Sequence, residues 1–169
     1  MQPHARRTWA PRGQTPVLRQ RMGRRSNLSV IGGLSLSPRR RRPGWHLAFH
    51  LNRAVRQGQV VEFLRMLLRH LRGRVVVVWD RLPAHRGGAV RRFAAASRRL
   101  GLEPLPPYAP ELNPIEYGWS HWKQHELSGY CPDDAVELIA AASVTAERVA
   151  ARPDLLRSFV RASPLPLRL

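Results

Sequence analysis

Leu105-Pro-Pro-Tyr-Ala-Pro-Glu-Leu-Asn-Pro-Ile-Glu116 is the stretch on which the fold turns. Pro106, Pro107 and Pro110 fix φ and remove three backbone donors, so the segment is a rigid loop rather than helix or strand. Asn113 followed by Pro114 starts a helix. Asn is a favoured N-cap, and proline already has the φ of the first helical position. Glu116 then falls in the first turn, where the helix dipole favours negative charge. The helix is expected to run to about Leu127, with Gly129 as its stop.

Upstream, strands and helices alternate. Leu102–Leu105 reads as a short strand, and Gly88–Leu100 as an amphipathic helix stopped by Gly101. Val75–Trp79 is a continuous apolar strand, expected to be buried on both faces and to end at Asp80. Val60, Phe63, Leu64, Leu67, Leu68 and Leu71 are spaced for one helix face, and Gly73 stops that helix. Asn27–Leu36 and Trp45–Leu51 alternate like the strands of a hairpin. The pair Gly32-Gly33 permits a bulge or a close neighbour. Between them, Ser37-Pro38, Arg39–Arg42 and Pro43-Gly44 form a charged turn. Downstream, Pro132-Asp133-Asp134 opens a helix to about Ala151, and a last helix covers Asp154–Arg161. No internal repeat is present. The order specifies an α/β domain with a mixed sheet flanked by helices.

The chain has 169 residues, enough for one domain, and 43 % are hydrophobic, enough for a core. Its one cysteine, Cys131, excludes an internal disulfide and CxxC metal ribbons. No apolar run approaches the ~18 residues of a membrane span. A soluble, intracellular protein is expected. The formal charge is +18, and it is uneven. Residues 1–61 hold thirteen Arg and no acidic residue; the first acid is Glu62. Such a field attracts polyanions, and nucleic acid is the obvious partner.

Asp80 ends the most apolar strand, where α/β sheets gather their ligand sites, and Glu116 opens a helix. Such a carboxylate pair supplies the hard oxygen ligands that a cation like Mg²⁺ needs. The bland reading is a turn-capping Asp and a Glu that complements a helix dipole. His121 and His125 stand at i, i+4, either as a metal pair or as a polar surface. His85 is either near the pocket or in a structural hydrogen bond. Lys123, seven residues after Glu116, lies close to the same helix face and is suited to a phosphate or to solvent. Arg39, Arg40, Arg41 and Arg42 form a solvated turn with phosphate contact as a second role. Core packing is the default for Trp9, Trp45, Trp79, Trp119 and Trp122.

The stretch Leu105–Glu116, with Trp119 and Lys123 after it, closely resembles the third-acid motif of DDE-type transposases, in particular bacterial insertion-sequence members of the mariner-like superfamily. Val75-Val-Val-Val-Trp-Asp80, with His85 beyond it, resembles their second-acid motif, and the 35 residues between Asp80 and Glu116 fit that family's spacing. Arg7–Pro16 resembles the segment after the first acid. The resemblance implies an RNase H-like fold and DNA strand cleavage and transfer by a two-metal mechanism. Asp80 and Glu116 would be the catalytic and metal-binding residues, with Mg²⁺ or Mn²⁺ as cofactor. It further implies transposon ends and target DNA as partners, a homodimer, no membrane, and a bacterial cytoplasmic, nucleoid-associated location. The first Asp belongs on a strand before Trp9, yet no acid precedes Glu62. An N-terminally truncated domain is therefore expected, lacking the first, central strand and inactive as it stands. The expected layout within residues 1–169 is an irregular basic segment (1–26), a core (27–128) and C-terminal helices (129–169). The alternative is a non-catalytic basic remnant that binds nucleic acid.

Overall fold

The structure is a computed structural model that describes residues 10–14, 27–38, 42–130 and 132–167. Strands β1 (Leu28–Leu36) and β2 (Pro43–Leu51) form an antiparallel hairpin. Helix α1 (Gln57–His70) leads to β3 (Val75–Trp79), α2 (Gly88–Ala95) and β4 (Leu100–Pro104). A 3₁₀ turn (Pro110–Leu112) precedes α3 (Pro114–His121), which runs into a π-helical turn, Trp122–Glu126. Helices α4 (Ala135–Ala150) and α5 (Pro153–Ala162) complete the chain. Most of the basic segment 1–26 lies outside the described residues, as do Trp9 and Cys131.

The mixed sheet is present as two pairs. β1 pairs with β2, and β3 pairs with β4 in parallel, Val75 opposite Leu100 and Trp79 opposite Pro104. Among the described residues, no ladder joins the hairpin to the parallel pair. Helix α1 packs on both. Its buried Val60, Phe63, Leu64 and Leu67 share one core with Ile31 and Ala48 of the hairpin and with Val77 and Leu102 of the parallel pair. Arg99 fastens the end of this helix, its guanidinium donating to the Leu68 and Leu71 carbonyls at 3.1 and 2.5 Å and to the Gly73 carbonyl at 2.8 Å.

A second core lies on the other face of the hairpin, where Trp122, Ala142, Val149, Leu156 and Phe159 pack with Trp45 and Trp119. The expected C-terminal helices are thus part of the hairpin's own core. Successive side chains of a strand point to opposite faces, and the glycine pair serves one core each. A Cβ on Gly32 would strike the Trp119 ring, and one on Gly33 would sit 3.4 Å from Phe63. The π turn places Trp122 so that its Nε1 donates to Thr145 Oγ1 at 2.9 Å, tying α3 to α4.

Three local expectations are corrected. β3 is covered on one face only, with Val76 63 % and Val78 41 % exposed. A run of valines satisfies either arrangement, and α1 covers just the face that includes Val77. The helix expected over Gly88–Leu100 ends at Ala95, because Leu100 is taken into the parallel ladder. Asn113 holds the N-cap position of α3 without a side-chain capping bond, and its carbonyl accepts from Glu116 N at 3.0 Å. Among the described residues no helix is long and apolar enough to cross a membrane.

Gly118 lets α3 approach Trp45, whose ring would lie 2.5 Å from an added Cβ, whereas Gly58 in α1 faces open space. Gly118→Ala should therefore destabilise the fold by ~1–3 kcal/mol. Gly58→Ala should stabilise it by up to ~1 kcal/mol through helix propensity alone. Urea unfolding of the two variants, read by tryptophan fluorescence, checks both signs.

Candidate active site

The site is built where β3 ends and α3 begins. The Leu105 amide donates to the Trp79 carbonyl at 2.7 Å, which extends the parallel pairing by one bond and lays the proline loop beside Asp80. Arg81 Nε donates to the Leu105 carbonyl at 2.8 Å and fixes the loop from the other side. At the loop's far end, the Leu112 and Asn113 amides close the 3₁₀ turn, and Ser163 Oγ donates to the Leu112 carbonyl at 2.9 Å. These bonds carry Glu116 to the same recess as Asp80. A cavity of about 530 Å³ is lined by both carboxylates together with Arg81, Arg86, Tyr108 and Asn113.

Asp80 is held in one orientation. Its Oδ1 lies 2.6 Å from His85 Nδ1 and accepts the Leu82 amide at 3.1 Å. The His85 ring stacks flat on the Trp79 indole, centroids 4.6 Å apart and planes within 2°. The apolar residue before the acid thus positions the histidine five residues beyond it. Glu116 is exposed as a whole residue but lines the cavity, and its carboxyl is raised above its ordinary range. Loss of water is the largest cause. Lys123 pulls the other way, and Asp80 raises it further. The helix terminus was expected to stabilise this carboxylate; desolvation and the neighbouring acid outweigh it.

Lys123 sits in the π turn and, with Glu116, Leu28, Val30, Trp119 and Trp122, lines a second cavity of about 350 Å³. Glu116 stands at the junction of the two recesses. Arg42 is exposed at the hairpin turn and lines neither cavity. Arg39, Arg40 and Arg41 lie outside the described residues. The His121 and His125 rings stack 4.7 Å apart rather than splaying toward a common ion. Among the described residues no group of three or more His, Cys, Asp or Glu is arranged to hold a metal ion. Sequence reading missed Tyr108, Arg81 and Arg86 as cavity residues. The one available signal was an aromatic residue set among prolines.

The sequence pattern of the DDE superfamily endonucleases matches residues 1–139. Among solved structures the chain is similar to the Mos1 transposase paired-end complex with left transposon end, at 18 % identity and TM-score 0.55, over 96 % of this chain and 52 % of that one. It is likewise similar to the Mos1 mariner paired end complex with Mn, at 17 % identity and TM-score 0.55, over 99 % of this chain and 53 % of that one. The catalytic domain of Mos1 mariner transposase matches at 18 % identity and TM-score 0.50, over 79 % of this chain and 81 % of that one. The chain spans about half the length of the chains in the two paired-end structures. At such identities the likeness shows the fold, which is RNase H-like. No curated protein gives a significant match.

Because Glu116 is protonated more readily folded than unfolded, the folded state binds the extra proton and stability falls as pH rises through the carboxylate range. In metal-free buffer, Glu116→Gln should raise the melting temperature at about pH 7, and the gain should vanish below about pH 4, where both states carry the proton. Thermal unfolding across that range with a chelator present checks the sign.

Proposed function

The chain belongs to the DDE superfamily endonucleases, and from that premise we propose that it is an insertion-sequence transposase catalytic domain that cuts and joins DNA strands. The observation that carries this reading is that Asp80 and Glu116, from a strand end and a helix start, line one cavity. Two adjacent carboxylates are the hard donors that Mg²⁺ or Mn²⁺ requires, so the residues present fit such a cation. Asp80 and Glu116 would hold it. When bound, it supplies Lewis-acid charge at the phosphate and a more acidic water.

The chain's own residues do the rest. His85 and the Leu82 amide hold Asp80 through its Oδ1, and Asp80 lines the cavity. Burial and the neighbouring Asp80 raise the Glu116 pKa, and a cation held between the two carboxylates would favour their charged forms. Lys123, beside Glu116, is placed to meet a phosphate oxygen, and the basic run Arg39–Arg42 supplies further charge for phosphate contact. DNA is the partner this supports; the similar Mos1 structures include one with a transposon end and one with Mn. A second copy of the chain is the further partner, and the bacterial cytoplasm at the nucleoid the place of action.

Two carboxylates are one fewer than the triad that the family resemblance implies. We place the third on a strand lying between β1 and β3. Each of these strands has a single partner among the described residues, and α1 spans both pairs. An unpaired edge is a template for another strand. No acid in residues 1–61 can fill this role. On this reading residues 1–169 hold two of the three carboxylates and by themselves cleave DNA weakly or not at all. The rival reading is a basic remnant that binds nucleic acid without chemistry, which the uneven charge of the chain also fits.

Two outcomes are expected. The chain should bind DNA without regard to sequence, with log affinity falling linearly with log salt because phosphate contacts release counterions. Fluorescence anisotropy at graded salt checks this, and salt-independent binding contradicts it. In a nicking assay with Mn²⁺ the chain should cleave weakly or not at all, and a version extended upstream through a strand ending in Asp should gain cleavage. In that version Asp80→Ala or Glu116→Ala should abolish cleavage while DNA affinity changes by less than about twofold, since the binding charge lies elsewhere. An extended chain that never cleaves selects the remnant.

A further inference from the structure

Tyr108 is the residue that folding explains least. Its side chain is fully exposed, and it makes no hydrogen bond or ring contact with any described residue. Its φ is +57°, in the left-handed region that a bulky residue rarely adopts. A tyrosine held there, gaining no packing, points to a use outside the fold. The strain is locked in. Pro106, Pro107 and Pro110 restrict the loop, and its two ends are fastened at Leu105 and Leu112 as described above. The ring is therefore displayed on a rigid support.

What lies around it defines the ligand. Tyr108 lines the cavity that holds Asp80 and Glu116. The prolines and Leu82, itself 53 % exposed, make this part of the wall apolar. Arg86 lines the same cavity and forms no ion pair among the described residues, and the whole chain carries +18. An aromatic face, an apolar wall and a cation next to a carboxylate pair match a nucleotide: ring on ring, phosphate toward the cation. A paired base inside a duplex offers no open face to such a ring, whereas an unpaired one does.

We propose that Tyr108 stacks on an unpaired nucleobase of the strand whose phosphate reaches Asp80 and Glu116, so that the site favours single-stranded or locally opened DNA. This rests on the nuclease reading for the identity of the strand, but it is tested by binding alone. Stacking is tolerant of base identity, since every base has a π-face. It removes no phosphate contact, so loss of the ring should leave the salt dependence unchanged.

The test titrates the full chain into a single-stranded oligonucleotide carrying 2-aminopurine, and into the same sequence as a duplex, in metal-free buffer. The wild-type chain should quench the single-stranded probe. Tyr108→Ala should weaken single-strand binding by ~5-fold or more, the lower end of the range for one stacked base, and remove the quench. Tyr108→Trp should keep both, and duplex affinity and salt slope should stay as in wild type. Tyr108→Ala removes no packing, so its melting temperature should be unaltered. Equal single-strand affinity and quench in wild type and Tyr108→Ala overturns the proposal. So does absence of quenching by wild type, or an equal loss on single strand and duplex. Binding and quench are read without metal and without cleavage, so that failure of the carboxylate pair as a nuclease and failure of the stack show up separately.

Discussion

A single backbone hydrogen bond sets the geometry of the site: the Leu105 amide on the Trp79 carbonyl, 2.7 Å long. It continues the parallel ladder of β3 and β4 one step past the last strand residue. Asp80 follows Trp79, and the proline loop follows Leu105, so this bond brings the acid and the loop alongside each other. The loop then has no freedom to wander. Its prolines allow few conformations, and the 3₁₀ turn delivers Asn113-Pro114 directly into α3. Glu116 reaches the cavity as a consequence. Arg81 reinforces the arrangement through the same Leu105 residue, using its carbonyl where Trp79 uses its amide.

The rest of the fold serves to hold that junction rigid. α1 lies across both strand pairs and gives them a common core. On the opposite face of the hairpin, Trp45, Trp119, Trp122 and Phe159 bind α3 and α5 to β1 and β2, with edge-to-face and tilted ring contacts between 5.7 and 6.3 Å. Such ring pairs add to the burial term rather than merely accompany it. Helix α3 is thereby gripped at its Trp119 turn, three residues beyond Glu116. The uncovered face of β3, with Val76 and Val78 in contact with water, is the part of this scaffold that lacks a partner.

The elements with local punctuation were legible in the sequence. The proline loop, the Asn-Pro start of α3, and the stops at Gly73 and Gly129, both with positive φ, are written in residues whose backbone preferences are strong. The pairing of Asp80 with Glu116 came from spacing and resemblance together. What stayed hidden depends on tertiary surroundings. Four successive valines do not say how many of their faces are covered. The end of α2 at Ala95 is decided by competition with the ladder at Leu100, which no helical periodicity records. The rise in the Glu116 pKa reflects desolvation and a neighbour 36 positions away, whereas sequence shows only the helix start. Tyr108 looked like one residue of a proline loop until its backbone angle and full exposure set it apart.

The central claim is that Asp80 and Glu116 act as one cation site rather than as two unrelated surface acids. Mn²⁺ binding followed by the electron paramagnetic resonance signal of the free ion, on a version extended upstream by a strand ending in Asp, tests it most directly through a double-mutant cycle. Asp80→Asn, Glu116→Gln and the double variant should each lose the same bound ion, so that the second substitution adds little to the first. Additive losses, or binding that persists in either single variant, would show that the two carboxylates do not share a site.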